Sequence, residues 1–192
     1  MMFRPSILFN WKTNAKGIAF YGIIAALCLL DFTGWSRAET SVILEQKNAP
    51  ITIVSYSAAF SPAVITTAFS HYDQVDHKVK IRNSETKQIV AHVLGFVTFD
   101  AFNRFLSISY GWGFDSINPE KEKGGSWAFE KNSPFRFQKF GTGIAFVDAV
   151  RFSDGSIWFA DKTKILEELR KFESNLQMDI FIDSDIGSDP GR

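Results

Sequence analysis

The stretch from Asp148 to Trp158 reads Asp-Ala-Val-Arg-Phe-Ser-Asp-Gly-Ser-Ile-Trp, and it decides the fold. Two strand-forming runs, 144–152 and 157–159, flank the dipeptide Asp154-Gly155. Asp-Gly tolerates positive φ at both central positions of a turn, which suits the type I′ turn that joins twisted strands. We therefore predict a β-hairpin, with Asp154 and Gly155 as its structural turn, near the end of a small all-β domain.

Two earlier segments strengthen the all-β prediction. From Val75 to Arg82, apolar residues and His77 alternate with charged residues, which indicates a half-buried antiparallel strand. The run 88–100 is apolar on both faces, as expected of a central strand, and Gly95 inside it indicates a bulge or a close backbone approach. A further strand is predicted over Ile51–Tyr56.

Other segments have weaker patterns. We expect a flexible lead-in over 39–50, an uncertain strand over 64–72, an irregular region over 101–125, and short strands at 127–129 and 135–139. After Ala160 the apolar spacing changes to that of a helix, with Asp161 or Thr163 as its cap and Glu167 paired with Lys171.

The predicted fold is all-β: an immunoglobulin-like antiparallel β-sandwich of about seven strands with one short C-terminal helix, preceded by an N-terminal signal helix. The domain organisation follows from these segments: a signal peptide at 1–38, a lead-in at 39–50, the sandwich at 51–160, a helix at 161–175 and an acidic tail at 176–192.

The first 38 residues have the three parts of a secretory signal peptide. Basic residues precede an apolar run of 14 residues, Gly17 to Leu30, and Ser36 and Ala38 place small residues before a cleavage site at Glu39. The run is shorter than the roughly 20 residues that span a bilayer. We expect export to the periplasm or the exterior, with an uncleaved membrane anchor or a lipoprotein at Cys28 as alternatives.

Composition excludes some classes of protein. The whole chain has 21 basic and 21 acidic residues, and removal of the signal leaves a net charge of about −3. A nucleic-acid partner is not expected, because phosphate binding needs a basic surface. The only cysteine, Cys28, lies in the signal segment, so the mature domain has no thiol or disulfide.

Two segments carry a resemblance to a known group of proteins. One runs from Ile81-Arg82-Asn83-Ser84 to a Phe-Asp-x-Phe-Asn corner at 99–103, and the other is 150–161, Val-Arg-Phe-Ser-Asp-Gly-Ser-Ile-Trp-Phe-Ala-Asp. In these segments the chain is similar to exported bacterial domains of uncharacterised function that share an immunoglobulin-like sandwich. The resemblance implies fold and export. It assigns no catalytic residue.

No set of residues predicts catalysis or a cofactor. His71 and His77 share strand parity, but a metal site needs three or four converging ligands. Glycine-flanked serine elbows and phosphate-binding loops are missing from the sequence, and the aspartates of the tail do not fit a calcium-binding loop. Asp148 falls on an apolar strand face, where it needs a partner such as Arg82, Arg136 or Arg151.

The best binding candidate is an aromatic segment. Tyr110, Trp112 and Phe114 alternate with glycine, and Trp127 follows nearby. Such residues stack on sugars, anchor a protein partner, or plug the open end of a sandwich.

Our functional hypothesis is an exported, non-catalytic module that binds another envelope protein or a surface ligand, with membrane contact only through an uncleaved N-terminus. Two alternatives remain: an envelope hydrolase that uses His71, His77 or Asp148, and a structural envelope subunit that pairs through an edge strand.

Overall fold

The fold is known from a computed structural model that describes residues 39–62, 64–65, 70–71, 73–130 and 137–181. The expected signal peptide at 1–38, the first part of the strand expected at 135–139 and the acidic tail from residue 182 lie outside these residues. Within the described residues, no helix is long and apolar enough to cross a membrane.

The described chain is mostly β-structure, which confirms the all-β class. Its strands are β1 (Thr40–Ile43), β2 (Ile51–Ser61), β3 (Val64–Ile65), β4 (Ser70–His71), β5 (Gln74–Asn83), β6 (Ile89–Asp100), β7 (Phe105–Gly113), β8 (Glu122–Glu130), β9 (Phe140–Phe152) and β10 (Ile157–Phe159). The α-helix α1 spans Lys162–Leu169, and single 3₁₀ turns span Phe137–Lys139 and Met178–Phe181.

These strands form two main sheets. The larger has five strands in the order β1-β9-β6-β7, with β10 also paired to β9, and the smaller has the order β2-β5-β8. All of these pairs are antiparallel except β1 with β9, and β3 pairs with β4 in a separate two-stranded antiparallel sheet. β9 lies inside its sheet and is covered on both faces along most of its length, which explains why its sequence is apolar almost throughout.

The two main sheets share one core. Ile53 of β2 and Ile81 of β5 pack in one buried cluster with Phe96 of β6 and Val147 of β9. The opposite face of the larger sheet, which we call the outer face, is partly covered by α1, whose Leu169 packs with strand residues in a second cluster. Burial of apolar side chains on both faces of β6 makes it the central strand of the domain.

Two expectations about irregular segments are wrong. The lead-in contains β1, which pairs in parallel with residues 142–145 of β9. The region 101–125 holds all of β7 and the start of β8. The pairing of β1 with β9 is not local in sequence, so a short polar segment gives no sign of it. By contrast, β7 pairs with the preceding strand β6, and its glycines hid that strand from the sequence pattern.

The glycines of β7 are required by packing. A side chain at Gly111 would lie 2.8 Å from the Trp127 indole, and one at Gly113 would lie 2.2 Å from the His92 ring. Bulky rings therefore occupy the inner face of the strand at its glycine positions. The sequence Tyr-Gly-Trp-Gly-Phe is a strand with aromatic side chains on one face, and its glycines do not mark a loop.

Glycine at position 95 is required by packing in the same way. A side chain there would lie 2.0 Å from the Phe146 ring, and Phe146 is its partner across the β6–β9 pair. The expected bulge or backbone approach at Gly95 is thus replaced by an aromatic side chain from the neighbouring strand.

The β9–β10 hairpin is confirmed, but its turn differs from the prediction. Gly155 has φ 84°, while Asp154 has no positive φ, so the turn is not type I′. Gly155 N–H donates to the Phe152 carbonyl, and Phe152 N–H donates to the Ser156 carbonyl. This pattern fits a three-residue loop with one left-handed residue. Asp154 accepts from Ser156 N–H and pairs with Lys87 at 2.7 Å.

A bulge in β9 changes which side chains face the core. Val93 pairs with Ala149 and Leu94 with Val147, so Asp148 is an extra residue. Before it, odd-numbered residues face the core, and after it Val150 does. Ile144 and Phe146 therefore lie on the outer face while Val150 and Phe152 face the core, because one inserted residue reverses a period of two.

The helix forms where expected and is shorter than the predicted 161–175. Asp161 is its N-cap, and the carboxylate accepts from the backbone N–H groups of Thr163 and Lys164. Lys171 pairs with Glu168 at 2.5 Å instead of with Glu167.

His77 lies in the core, as its strand pattern predicts. It is 1% exposed, its Nδ1 lies 2.8 Å from the Tyr56 hydroxyl, and its ring stacks on Phe96 with centroids 4.5 Å apart. Burial lowers the pKa of the His77 imidazole to about 3 and raises the pKa of Tyr56 above its ordinary value.

The buried imidazole predicts acid sensitivity. The unfolded chain protonates His77 below about pH 6.5, while the folded chain keeps it neutral down to about pH 3. Stability is therefore present above pH 6.5 and is lost as pH falls towards 3, by up to ~1.4 kcal/mol per pH unit for this group. The free energy of unfolding, measured with urea between pH 7 and pH 4, should fall less steeply with decreasing pH in the double variant Tyr56→Phe, His77→Phe. The same pH dependence in the double variant and the unchanged protein would contradict a destabilising protonation of buried His77.

Candidate functional site

The outer face of the larger sheet carries a groove that is set by the size of cross-strand neighbours. In one row, Trp112 of β7 is followed by Val93 of β6, Ala149 of β9 and Phe159 of β10. The order is large, small, small, large. Because side chains on one sheet face stand side by side, two aromatic walls rise above a shallow floor.

The next row repeats the pattern with a charge. Ala91 of β6 pairs with Arg151 of β9, and Arg151 pairs with Ile157 of β10. Phe114, two residues beyond Trp112, continues the β7 wall, and their rings stack with centroids 6.3 Å apart. We call this concavity the outer groove; its walls are Tyr110, Trp112, Phe114, Ile157 and Phe159 and its floor is Ala91, Val93 and Ala149, with a volume of about 490 Å³.

The groove exposes an unusual amount of apolar surface. Trp112 is 54% exposed, Phe114 77%, Ile157 51% and Phe159 70%. Isolated apolar side chains on a surface need no explanation, but a contiguous group of them marks a binding site or an interface.

One end of the groove is closed by aromatic rings and an ion pair. Lys162, the first residue of α1, pairs with Asp148, the extra residue of the β9 bulge. Its ammonium lies 5.0 Å from the Tyr110 ring centroid, 5.5 Å from that of Phe146 and 5.1 Å from that of Phe181. Desolvation by this setting lowers the pKa of Lys162 to about 8.

The other end is open and carries Arg151. This side chain is exposed and makes no ion pair with an acidic residue of the described chain. Because Asp148 already balances Lys162, Arg151 is the uncompensated charge of the groove.

The four predicted binding residues do not form one site. Tyr110, Trp112 and Phe114 line the outer groove together. Trp127 lies on β8 of the other sheet, packs against the shared core, and donates from Nε1 to the Trp112 carbonyl at 3.3 Å. Its ring occupies the space that Gly111 leaves on the inner side of β7.

The residues considered for catalysis are also separated. His77 lies between the sheets, whereas Asp148 lies on the outer face with Lys162, which replaces the arginines that we expected as its partner. His92 is 4% exposed, and burial lowers its pKa, against a smaller opposing effect of Asp115. In the described ranges no three histidine, cysteine or acidic side chains lie together as metal ligands. The side chain of His71 is not described.

Sequence reasoning missed the wall formed by Ile157 and Phe159. They alternate with Trp158, which packs against the core, so the outward face of β10 was readable from the hairpin itself. Arg151 was considered only as a partner for Asp148. Its place opposite Ile157 follows from the register of the hairpin.

The Asp148–Lys162 pair should stabilise the fold. Lys162→Met leaves the partly buried carboxylate without its cation, and we expect a loss of about 1–3 kcal/mol in urea unfolding at pH 7. Lys164→Met removes an exposed lysine of the same helix, 3.6 Å from Asp161, and should change stability by less than about 0.5 kcal/mol. Asp148→Leu combined with Lys162→Met should recover part of the loss. Equal effects of the two lysine variants would contradict this role.

Comparison with known proteins found similarity among solved structures. No protein-family model matches the chain, and no curated protein matches it. Among solved structures it is similar to Northeast Structural Genomics Consortium target SoR45, at 14% identity over 58% of this chain and 80% of that one, with a TM-score of 0.39. It is also similar to a hypothetical protein from Peptoclostridium difficile 630, at 12% identity over 66% of this chain and 93% of that one, with a TM-score of 0.46.

Proposed function

We propose that this protein is an exported, non-catalytic binding module of the cell envelope, and that the outer groove holds an apolar group of its ligand or partner. The observation that carries the proposal is the clustering of exposed apolar side chains. Of the seven large apolar residues exposed in the described chain, four line this one groove: Trp112, Phe114, Ile157 and Phe159.

The immunoglobulin-like form of the sandwich is part of the proposal. It is supported by two sheets that share a core and by mainly antiparallel pairing. In such folds a sheet face or a cluster of loops binds the ligand, while the packed core keeps the strands in a fixed arrangement. The outer groove fits this division, because its floor strands β6 and β9 are also the most buried strands of the core.

The hydrolase alternative is less well supported. Two of its candidates are separated: His77 of the smaller sheet packs between the sheets against Phe96, whereas Asp148 lies on the outer face of the larger sheet with Lys162. An acid and a base must reach the same substrate atoms to act together. The alternative of a structural subunit uses the edge of β7 or β8, which are terminal strands of their sheets among the described residues.

A neutral apolar dye tests the groove directly. N-phenyl-1-naphthylamine should bind the full chain with increased fluorescence, and Phe114→Ala should weaken binding about tenfold, because a large apolar contact is lost. Phe102→Ala is the matched control: Phe102 is also 77% exposed but does not line the groove. Equal affinities of the two variants, or no dye binding, would contradict the proposal.

Export is tested on the expressed protein. We expect the mature chain in the periplasm or the medium, and N-terminal sequencing should begin at Glu39. An intact chain starting at Met1 that stays with the membrane would instead support the uncleaved anchor.

A further inference from the structure

We infer that the outer groove binds a single-chain amphiphile with an anionic head group, whose chain lies along the floor and whose head lies at Arg151. The inference rests on the proposed function and names the chemical class of its ligand.

The shape of the groove suits an elongated ligand. One wall of the groove runs along the strand direction, because Tyr110 and Trp112 on β7 and Phe114 just beyond its end follow at every second residue, about 13 Å from first to last. One end is closed by Tyr110, Phe146 and Lys162, and the other opens beside Arg151. A volume of about 490 Å³ lies within the range of roughly 300–1,000 Å³ for small-molecule sites.

The floor favours an alkyl chain over a peptide. It is made of the side chains Ala91, Val93 and Ala149, on strands whose backbone groups are paired to neighbours on both sides. A peptide laid along this floor would bury N–H and C=O groups that find no backbone partner, at a cost of about 1–3 kcal/mol for each unpaired group. An alkyl chain has no polar group to desolvate and gains from burial against apolar walls.

The charged residues of the groove predict the charge of the ligand's head group and the orientation of the ligand. At the closed end, Lys162 is balanced by Asp148, so an anion there would compete with a carboxylate already in place. At the open end, Arg151 lines the groove opposite Ile157 in the β9–β10 pair and has no acidic partner among the described residues. A carboxylate, sulfate or phosphate at the open end matches this donor set.

Calorimetric titration of the full chain with decanoate and with 1-decanol, both below the concentration at which they aggregate, tests the inference. Decanoate should bind about tenfold more tightly than decanol, which corresponds to one charge-assisted contact. In Arg151→Gln the two affinities should become equal, since the apolar walls remain. Arg82→Gln, which removes an exposed arginine of β5 on the other sheet, should keep the tenfold difference.

Other outcomes would overturn the anionic head group, its position at Arg151, or the binding itself. Equal binding of decanoate and decanol by the unchanged protein would overturn the anionic head group and leave the proposed function in place. A preference for decanoate that survives in Arg151→Gln would overturn the position of the head. No binding of either compound would overturn the inference, and if the dye does not bind either, the proposed function is overturned with it. Filling the floor with Ala149→Leu should weaken both compounds alike, and unchanged affinity there would also contradict the inference.

Discussion

The extra residue at Asp148 determines which side chains of β9 face the core and which face the outer groove. With strict alternation, the residues of β9 that face the core at Ala145 and Val147 would be followed by Ala149 and Arg151, which would bury a cation between the sheets. The bulge reverses the alternation and sends Val150 into the core instead. Ala149 and Arg151 then lie on the outer face. The same irregularity builds the core and the groove.

The bulge also determines the chemistry at the closed end of the groove. A bulged residue is left out of the regular pairing, so its side chain is aimed by local backbone geometry. Asp148 points to the outer face and meets Lys162, which Asp161 places there by capping the start of α1. The helix is thus tied to the sheet by packing of Leu169 at one end and by an ion pair at the other. Rings around the ammonium keep water away from the pair and strengthen it.

Local patterns predicted much of this fold, and long-range pairing accounts for what they missed. The hairpin at Asp154, the alternation along β5 and the cap at Asp161 each depend on neighbours in sequence. By contrast, β1 exists because a distant strand offers it a partner, and a short polar segment carries no mark of that partner. In β7, glycine opposite Trp127 and His92 looks like a loop signal although it is a packing requirement. The wall of the site at Tyr110, Trp112 and Phe114 was readable because their outward alternation survives in the strand, whereas the opposite wall required the register of the hairpin.

Leaving the groove open has an energetic consequence. Four large apolar side chains that face water forgo the stabilisation of about 25 cal/mol per Å² that burial would give. The helix α1 does not cover them, because it begins with Lys162 at the closed end of the groove and packs through Leu169 near Phe99, away from the rows of Trp112 and Phe114. Small residues at Ala91 and Ala149 deepen the concavity further, although larger ones would increase apolar contact. Stability alone would favour a filled sheet face, and an open concavity lined by apolar side chains is consistent with the ligand site that we propose.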